Sequence, residues 1–291
     1  MKITIAGKGV WGNALYHVLS QNNRDVSFAQ RDKPFTTDVL VLALPTSAIR
    51  SVLSLANFSS HKIIINTCKG IEKDTHKFPH EIVKEVLGES IDYYCLMGPS
   101  FAEEVSRNMP TLVNLGYTTD EKKMNKVKAL FQTEYFRLRP TKSIESLELA
   151  GALKNVYATA CGITEGLGYM TNTRVKVMVL AIEEIKRLCN ALSLPIDDGT
   201  TPEMIGDLIL TCSSTMSRNF QFGRLLTTHS IEESLLSVNS TVEGYNTSFS
   251  IPFFEKKSHM QLPVADFVAH TITLNNPSTI HERFLSLLQS S

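Results

Sequence analysis

The sequence predicts an α/β protein with two parts, an amino-terminal, mostly parallel sheet carrying helices on both faces and an all-helical carboxyl-terminal part. Its 291 residues exceed one typical core. Short strands rich in β-branched residues alternate with helical patterns as far as Pro140. Beyond residue 142 the apolar residues follow helical spacing only. We therefore expect two domains, residues 1–140 and 141–291.

Composition excludes several classes of protein. Basic and acidic residues balance at 29 each, so neither a nucleic acid nor a membrane surface is expected as a partner. The five cysteines are scattered without CxxC spacing, which predicts reduced thiols and no metal site. The amino terminus has no long apolar segment, and no run approaches the length of a membrane span. We expect a cytoplasmic protein.

A glycine-rich turn follows the first predicted strand. The strand KITIAG leads into Gly7-Lys8-Gly9-Val10-Trp11-Gly12, and a helical pattern comes next. In that context G-x-G-x-x-G is typical of a Rossmann-like dinucleotide-binding domain. Gly7 makes the tight turn, Gly9 lets a pyrophosphate approach the backbone, and Gly12 allows helix and strand to pack closely. The alternative is a plain glycine turn.

The end of the second predicted strand bears on the choice of cofactor. About twenty residues beyond the glycine turn, an acidic residue would bind the ribose hydroxyl of NAD. Here Arg31 is followed by Asp32. Arg31 suits the 2′-phosphate of NADP or a stacked adenine, whereas Asp32 would suit NAD. The cofactor is NADP or NAD, and the arginine favours NADP.

The segment after Asp32 is unusually short. Residues 33–37 alone separate it from the next predicted strand, 38–45, although a parallel crossover normally needs ten or more residues. Either this edge of the sheet is trimmed, or strand and connection run in a different order. The alternation then resumes, with helices predicted over 46–58, 78–88, 100–108 and 120–133 and strands over 62–70, 93–99, 111–117 and 135–140.

Two strand ends carry polar groups. Lys69 follows one strand, and Gly98 and Ser100 follow another, with Ser100 at the expected N-cap of a helix. Ligands of such sheets bind beyond the carboxyl ends of the strands. A shared phosphate-binding role is the interpretation we prefer. The alternatives are a solvated loop charge for Lys69 and a simple cap for Ser100.

The helical half contains one lysine in an apolar run. Lys154 lies among alanines, leucines and valines between residues 148 and 163. An ammonium group in such a place needs a hydrogen-bonding or charged partner, or a functional role, unless its side chain extends along the helix to water. Asp207 precedes an apolar stretch, so we expect it to point inward, and Lys154 is its candidate partner. A helix cap is the alternative for Asp207.

A further polar pair follows Asp207. Arg218 and Asn219 offer a guanidinium and an amide, which suit a phosphate or carboxylate. The alternative is an exposed loop.

Taken in order, the motifs resemble one family. GKGVWG, NTCKGIE, GPSFAEEV, ELAGALKNVYATACGI, GDLILTCSSTMSRNFQFG and VEGYNT are similar to bacterial NAD(P)-dependent glycerol-3-phosphate dehydrogenases over nearly the whole chain. The resemblance implies reversible hydride transfer between NAD(P)H and dihydroxyacetone phosphate. The product, sn-glycerol 3-phosphate, would feed phospholipid synthesis.

The resemblance also implies residue roles. Lys154 would be the general acid/base, with Asp207 beside it. The implied substrate residues are Lys69, Gly98, Ser100, Lys154, Asp207, Ser217, Arg218 and Asn219. The implied cofactor residues are Gly7, Gly9, Val10, Trp11, Gly12, Arg31, Lys69, Ala102, Arg218 and Glu243. The chain departs from the family in the short segment after Asp32, and in Val10, where many members have a small polar residue.

Two other functions fit parts of the pattern. One is a related two-domain reductase acting on a hydroxy acid or an imine, which would not need the set formed by Lys69, Ser100, Arg218 and Asn219. The other is a non-catalytic dinucleotide-sensing protein, which would have no reason to keep a buried lysine beside Asp207. The helical part has many apolar residues, and a homodimer is our expectation for the assembly.

Overall fold

The computed structural model describes residues 1–196 and 201–289. The chain divides into two compact units. The first consists mainly of Met1–Lys69 and Lys77–Glu148. The second consists mainly of Leu149–Pro195 and the residues from Ile205 on, together with the short segment Gly70–His76. The domain boundary expected between residues 140 and 141 stays a prediction.

The first unit contains a seven-stranded sheet in the order β2-β1-β3-β4-β5-β6-β7. Every neighbouring pair is parallel except β5 and β6, which confirms the mostly parallel Rossmann-like sheet. The strands are β1 (Ile3–Ala6), β2 (Val26–Phe28), β3 (Phe35–Leu42), β4 (Ala56–Asn66), β5 (Asp92–Met97), β6 (Thr111–Tyr117) and β7 (Phe136–Thr141).

Helices cover both faces of this sheet. They are α1 (Val10–Asn22), α2 (Ile49–Leu55), α3 (Pro79–Leu87), α4 (Ala102–Ser106) and α5 (Glu121–Phe131). Leu15 of α1 and Val127 of α5 belong to the hydrophobic core on one face. Leu53 of α2 and Ile82 of α3 belong to the core on the other. Because both faces are covered, the interior strand β3 ends in a continuous buried apolar run.

The antiparallel pair follows a connection that differs from the others in this sheet. Residues 98–110 join β5 to β6 and contain a single short helix, α4, of five residues. The chain enters β6 near the end where β5 finished, and it runs in the opposite direction.

The trimmed edge of the sheet is confirmed. Residues 29–34 connect β2 to β3 without a helix. Strand β3 begins at Phe35, earlier than the expected residue 38, and its first residues pair with Ala56, Asn57 and Phe58 of β4. The helix expected over 46–58 was therefore wrong at its end, since α2 stops at Leu55 and backbone pairing draws the next residues into the sheet.

The second unit is helical, as expected. Its helices are the greater parts of α6 (Ile144–Gly166) and α8 (Thr201–Ser213), together with α7 (Thr171–Ala191), α9 (Arg218–Leu225), α10 (Ile231–Val238), α11 (Glu243–Ser248), α12 (Ile251–Ser258), α13 (Pro263–Leu274) and α14 (Ile280–Gln289). Within the described ranges, no helix is both long and apolar enough to cross a membrane. The same residues contain no cluster of side chains suited to a metal ion.

One buried carboxylate joins three of these helices. Glu184 of α7 is 1 % exposed and accepts the backbone N–H groups of Val264 at 2.6 Å and Ala265 at 3.3 Å in the first turn of α13. The hydroxyl of Tyr157, on α6, donates to the same group at 3.1 Å. Burial raises the pKa of Glu184 to about 7, although these hydrogen bonds favour its charged form.

The substitution Glu184→Gln is expected to change how stability depends on pH. With a pKa of about 7 when folded against 4.5 for the ordinary group, native Glu184 holds a proton that the unfolded chain releases. The contribution of this proton binding to the free energy of unfolding is fully present below pH 4.5, and it is lost as pH rises through about 7. The amount is on the order of 3 kcal/mol. Urea unfolding between these pH values should show a smaller decline for Glu184→Gln than for the native protein.

Glu183→Gln is the matched control, because Glu183 is the exposed neighbour on the same helix. Equal slopes for the native protein and Glu184→Gln would show that the carboxyl does not titrate in this range.

Candidate active site

The glycine turn lies between β1 and α1 in the first unit. Gly7 has a φ of +107°, and a Cβ on it would collide with the Ala43 carbonyl oxygen. A Cβ on Gly12 would collide with the Gly7 carbonyl oxygen, so Gly12 lets α1 pack against the turn. A Cβ on Gly9, in contrast, would meet no atom within 4 Å. The space above Gly9 is thus open on the side where a pyrophosphate would approach.

The start of α1 suits an anion. Gly9 is the N-cap and has no side chain to cap the first backbone N–H groups, and the first turn contains no acidic residue. Val10, the first residue of the helix, is 66 % exposed. The Asn13 side chain donates to the carbonyls of Lys8 at 3.2 Å and Gly9 at 2.9 Å, which braces the turn. These features fit a dinucleotide phosphate at a helix N-terminus.

Trp11 is fixed to the end of β4. Its indole Nε1 donates to Thr67 Oγ1 at 3.0 Å, and that hydroxyl donates to the Leu42 carbonyl at 2.7 Å. The backbone N–H of Thr67 also donates to the Leu42 carbonyl, at 3.0 Å. The glycine turn after β1 and the residues that follow β4 therefore form one rim at the carboxyl ends of neighbouring strands.

Three predicted substrate residues meet at this rim. Lys69 Nζ donates to the carbonyl of Gly98 at 3.1 Å, and Ser100 Oγ donates to the same carbonyl at 3.0 Å. The expectation that Ser100 caps the next helix was wrong, because the N-cap of α4 is Phe101. The Ser100 hydroxyl turns back to the end of β5 instead. Lys69, Gly98 and Ser100 thus lie together, and their shared phosphate-binding role stays a prediction.

The remaining predicted cofactor residues of this unit have different surroundings. Arg31 follows β2 and is 95 % exposed at its side chain, 3.5 Å from the equally solvated Asp32. Ala102 begins α4 and packs, partly buried, against the core on the α1 face. The cofactor role of Arg31 stays a prediction.

Lys154 is the centre of the second unit's polar site. It is 6 % exposed, and Nζ donates to Asp207 Oδ1 at 2.5 Å and to Thr211 Oγ1 at 2.8 Å. Asp207 is 4 % exposed, which confirms that it points inward, and it lies within α8 rather than at a cap. The lysine therefore does not extend to water. It is a buried cation with a carboxylate and a hydroxyl as partners.

Cys212 lies beside this group but is not suited to catalysis. Burial, followed by the neighbouring Cys161, raises the pKa of the Cys212 thiol well above its ordinary value. A neutral, buried thiol is a poor nucleophile. Lys154 and Asp207 are therefore the candidate chemical groups here.

The other predicted residues of this unit have structural partners as well. Ser217 is the N-cap of α9 and accepts the Phe220 N–H at 3.3 Å, while the exposed Arg218 donates to Ser240 Oγ at 2.8 Å. Asn219 is 8 % exposed, and Glu243 is the first residue of α11. The substrate and cofactor roles of these residues stay predictions.

Thr211 and Asn155 were not found from the sequence. Thr211 is four residues after Asp207 on the same helix, so the i, i+4 spacing places both on one face and could have revealed it. Asn155 Oδ1 accepts from Asn219 Nδ2 at 3.0 Å, and Asn219 Oδ1 accepts the Gly244 N–H at 2.9 Å. These partners are distant in sequence, so no local pattern indicated them.

Comparison with known proteins identifies the family. Residues 143–280 match the carboxyl-terminal domain of NAD-dependent glycerol-3-phosphate dehydrogenase, and residues 32–123 match its amino-terminal domain. A glycerol-3-phosphate dehydrogenase [NAD(P)+] of Staphylococcus haemolyticus is 32% identical over 95% of each chain. The protein of that name from Carboxydothermus hydrogenoformans is 33% identical over 91% of this chain and 90% of its own.

Solved structures show the same fold. Glycerol-3-phosphate dehydrogenase from Coxiella burnetii superposes with a TM-score of 0.87 at 23% identity, covering 99% of this chain and 98% of that one. D-mandelate dehydrogenase has a TM-score of 0.63 at 16% identity, covering 99% of each chain. At these identities the structural likeness establishes the fold alone, whereas the sequence matches establish descent. The chain belongs to the NAD-dependent glycerol-3-phosphate dehydrogenase family.

Proposed function

We propose that the protein interconverts dihydroxyacetone phosphate and sn-glycerol 3-phosphate with NAD(P)H, and so supplies glycerophospholipid synthesis. The observation that carries the proposal is the buried Lys154, bonded to Asp207 and Thr211 within the segment that matches the family. The relatives are named glycerol-3-phosphate dehydrogenase [NAD(P)+]. Residues 1–140 would bind the dinucleotide, and residues 141–291 would provide the substrate and catalytic groups. We also propose a cytoplasmic homodimer.

The role of Lys154 follows from the charge that develops in the reaction. A reduced nicotinamide, held through the glycine turn of the first unit, would supply the hydride that the carbonyl carbon takes up. Negative charge then develops on the carbonyl oxygen, and the Lys154 ammonium stabilises it and donates a proton to it. Asp207 and Thr211 accept from the same nitrogen and hold it in place. In the oxidation direction the neutral amine takes the proton back.

The phosphate group would be bound away from the reacting carbon. Lys69 and Ser100 provide an ammonium and a hydroxyl at one rim of the sheet. Arg218 provides a guanidinium at the first position of α9, whose N-terminus also favours an anion. Binding energy from the phosphate orients the carbonyl, which explains a preference for phosphorylated trioses. Gly98, Ser217 and Asn219 would complete the substrate residues.

The residues of the first unit fit a dinucleotide. The open space above Gly9 and the uncapped start of α1 suit the pyrophosphate, and Trp11, Ala102 and Glu243 would contact the cofactor. Val10 has no hydroxyl, so backbone N–H groups must carry the contact at its position.

A second cation favours NADP at the end of β2. Lys8 lies in the glycine turn with Nζ 5.6 Å from the centre of the Phe28 ring, and Phe28 is the last residue of β2. Arg31 follows three residues later. Two cations near the end of this strand would attract the 2′-phosphate of NADP, although Asp32 opposes it.

Related reductases of other substrates are the second candidate. A 2-dehydropantoate 2-reductase from Geobacter metallireducens has a TM-score of 0.62 at 15% identity, covering 95% of this chain. This likeness concerns the fold, and the presence of Lys69 and Ser100 together at the sheet rim favours a phosphorylated substrate over a hydroxy acid.

The first test is turnover of dihydroxyacetone phosphate. We expect loss of the absorbance of NADPH or NADH with this substrate and none with unphosphorylated dihydroxyacetone. The double variant Lys154→Met with Asp207→Asn removes both charges together, so no unpaired carboxylate stays buried. It should lower kcat about 10²- to 10⁴-fold while cofactor binding persists.

Lys186→Met, at an exposed position of α7, is the control and should keep full activity. Equal reduction of both trioses would exclude the phosphate-binding role. Unchanged kcat in the double variant would exclude Lys154 as the proton donor.

A second test concerns cofactor choice. Lys8→Ala and Arg31→Ala should each raise the KM for NADPH about tenfold, since a hydrogen bond to a charged group contributes about 1.5–3 kcal/mol. The KM for NADH, which has no 2′-phosphate, should change little. Steady-state kinetics with both cofactors measures the ratio of the two KM values. An equal rise of the KM for NADPH and for NADH would show that neither cation binds the 2′-phosphate.

A third test separates binding from folding at the glycine turn. Gly9→Ala should leave the free energy of unfolding within about 1 kcal/mol, because its φ of −78° suits alanine and the added methyl group has open space. The same methyl group occupies the approach of the pyrophosphate, so dinucleotide affinity should fall sharply. Gly12→Ala should instead destabilise the protein. Titration of cofactor and urea unfolding distinguish the two; unchanged affinity in Gly9→Ala would place the phosphates elsewhere.

A further inference from the structure

A buried carboxylate lies behind the rim of the first unit. Glu148 is 1 % exposed, and its Oε2 accepts His80 Nδ1 at 2.7 Å and the His80 backbone N–H at 3.2 Å. Its Oε1 accepts Asn66 Nδ2 at 3.0 Å and the hydroxyl of Tyr93. Four donors from α3, β4 and β5 thus converge on one group. Neither the sequence motifs nor the proposed reaction assigns a role to Glu148.

One of these donors shapes the turn that carries Lys69. Asn66 Oδ1 accepts the Cys68 N–H at 2.9 Å, and Asn66 Nδ2 donates to the Cys68 carbonyl at 3.3 Å as well as to Glu148. The Asn66 amide therefore closes the turn of residues 66–69. Two contacts of the rim depend on this turn, namely Thr67 with the Trp11 indole and Lys69 with the Gly98 carbonyl.

We propose that Glu148 is a positioning residue, which acts through Asn66 to hold the turn of residues 66–69 and thereby the ammonium of Lys69. A carboxylate is needed because both of its oxygens accept hydrogen bonds, whereas an amide has one accepting oxygen and one donating NH2 group. In Glu148→Gln the new NH2 group must face either the Asn66 amide or the His80 donors, and donor would meet donor. The consequence for substrate rests on the proposed function, whereas the consequence for the turn does not.

His80 supplies the countercharge. Burial by itself lowers the pKa of His80, but the charge of Glu148 and the hydrogen bond to it raise the pKa above its ordinary value. Glu81 on α3 and Glu145 on α6 act in the same direction. The Tyr93 ring from β5 faces His80 edge-on. The imidazolium therefore persists to higher pH than in an ordinary histidine and offsets the buried carboxylate.

The sole tryptophan of the chain reports on the turn without any substrate. Trp11 contacts Thr67 directly. If Glu148 holds the turn, Glu148→Gln should increase quenching of Trp11 fluorescence by acrylamide in the native, folded protein. In turnover, kcat/KM for dihydroxyacetone phosphate should fall about 10- to 100-fold, mainly through KM. A variant that merely lost stability would change neither the quenching nor the KM of its folded fraction.

Glu85→Gln is the matched control. Glu85 is a glutamate of α3 in the same unit, paired with Arg50 and Lys77, and it is 46 % exposed at its side chain. The charge change is the same, and the two partners of Glu85, Arg50 and Lys77, lie outside residues 66–69. We expect unchanged quenching and unchanged KM. Equal effects in Glu85→Gln and Glu148→Gln, or no effect in either, would overturn the proposal.

His80→Gln serves if Glu148→Gln does not fold. In the native protein the KM for dihydroxyacetone phosphate should rise as pH increases through the pKa of His80, because the Glu148 carboxylate then loses its countercharge. His80→Gln has no imidazolium to lose, so its KM should not show this rise when the two proteins are compared at each pH. Identical KM profiles of the two proteins would overturn the proposal. A native protein that does not reduce dihydroxyacetone phosphate would refute the proposed function instead, and the Trp11 measurement would still decide the role of Glu148.

Discussion

The structure depends on how α6 accommodates charge. This helix is buried along most of its length, yet it carries Glu148, Lys154 and the hydroxyl of Tyr157. Isolated charges in such surroundings cost several kcal/mol each. Each group has therefore acquired a specific partner in its own unit: His80 for Glu148, Asp207 for Lys154, and Glu184 for Tyr157. The partners in turn determine which helices and strands must pack beside α6.

These polar groups fix geometry more than they add stability. Replacing a buried ion pair by apolar residues is often neutral or stabilising, so stability alone does not explain their presence. Lys154 gains a defined position from Asp207 and Thr211, and a proton donor must be held within hydrogen-bond reach of its acceptor. The Glu184 carboxylate caps the first turn of α13 in the same way, at the cost of a raised pKa. The proposed function would explain the first case, and the architecture of the helical unit explains the second.

The sequence was sufficient for the features that are local. The glycine turn, the strand ends with Lys69 and Ser100, and the inward Asp207 all follow from spacing within one or two elements. Features that depend on distant pairing were missed. The end of the helix expected over 46–58 was decided by the pairing of Ala56 with Phe35, and the cap expected at Ser100 was decided by the Gly98 carbonyl.

The hydrogen-bond network around Glu148 could not be predicted from the sequence either, because its members are distant from one another in the chain. His80, Asn66 and Tyr93 are separated from it by 68, 82 and 55 residues. Their side chains have no common motif, and each alone is an ordinary residue of a strand end or a first helical turn. Only the assembled sheet brings them to one carboxylate.

At the trimmed edge of the sheet, few side chains can determine the preference for NADP or NAD. With residues 29–34 as the whole connection between β2 and β3, no helix is present there to contribute contacts to the adenosine half of a dinucleotide. Arg31 and Asp32 are both solvated and close together, so their opposing preferences are weak at physiological salt. Lys8 lies on the glycine turn, where Gly7 and Gly12 pack against neighbouring backbone. In the proposed function, Lys8 and Arg31 are therefore the cations near the end of β2 that we expect to contribute to any preference for a 2′-phosphate.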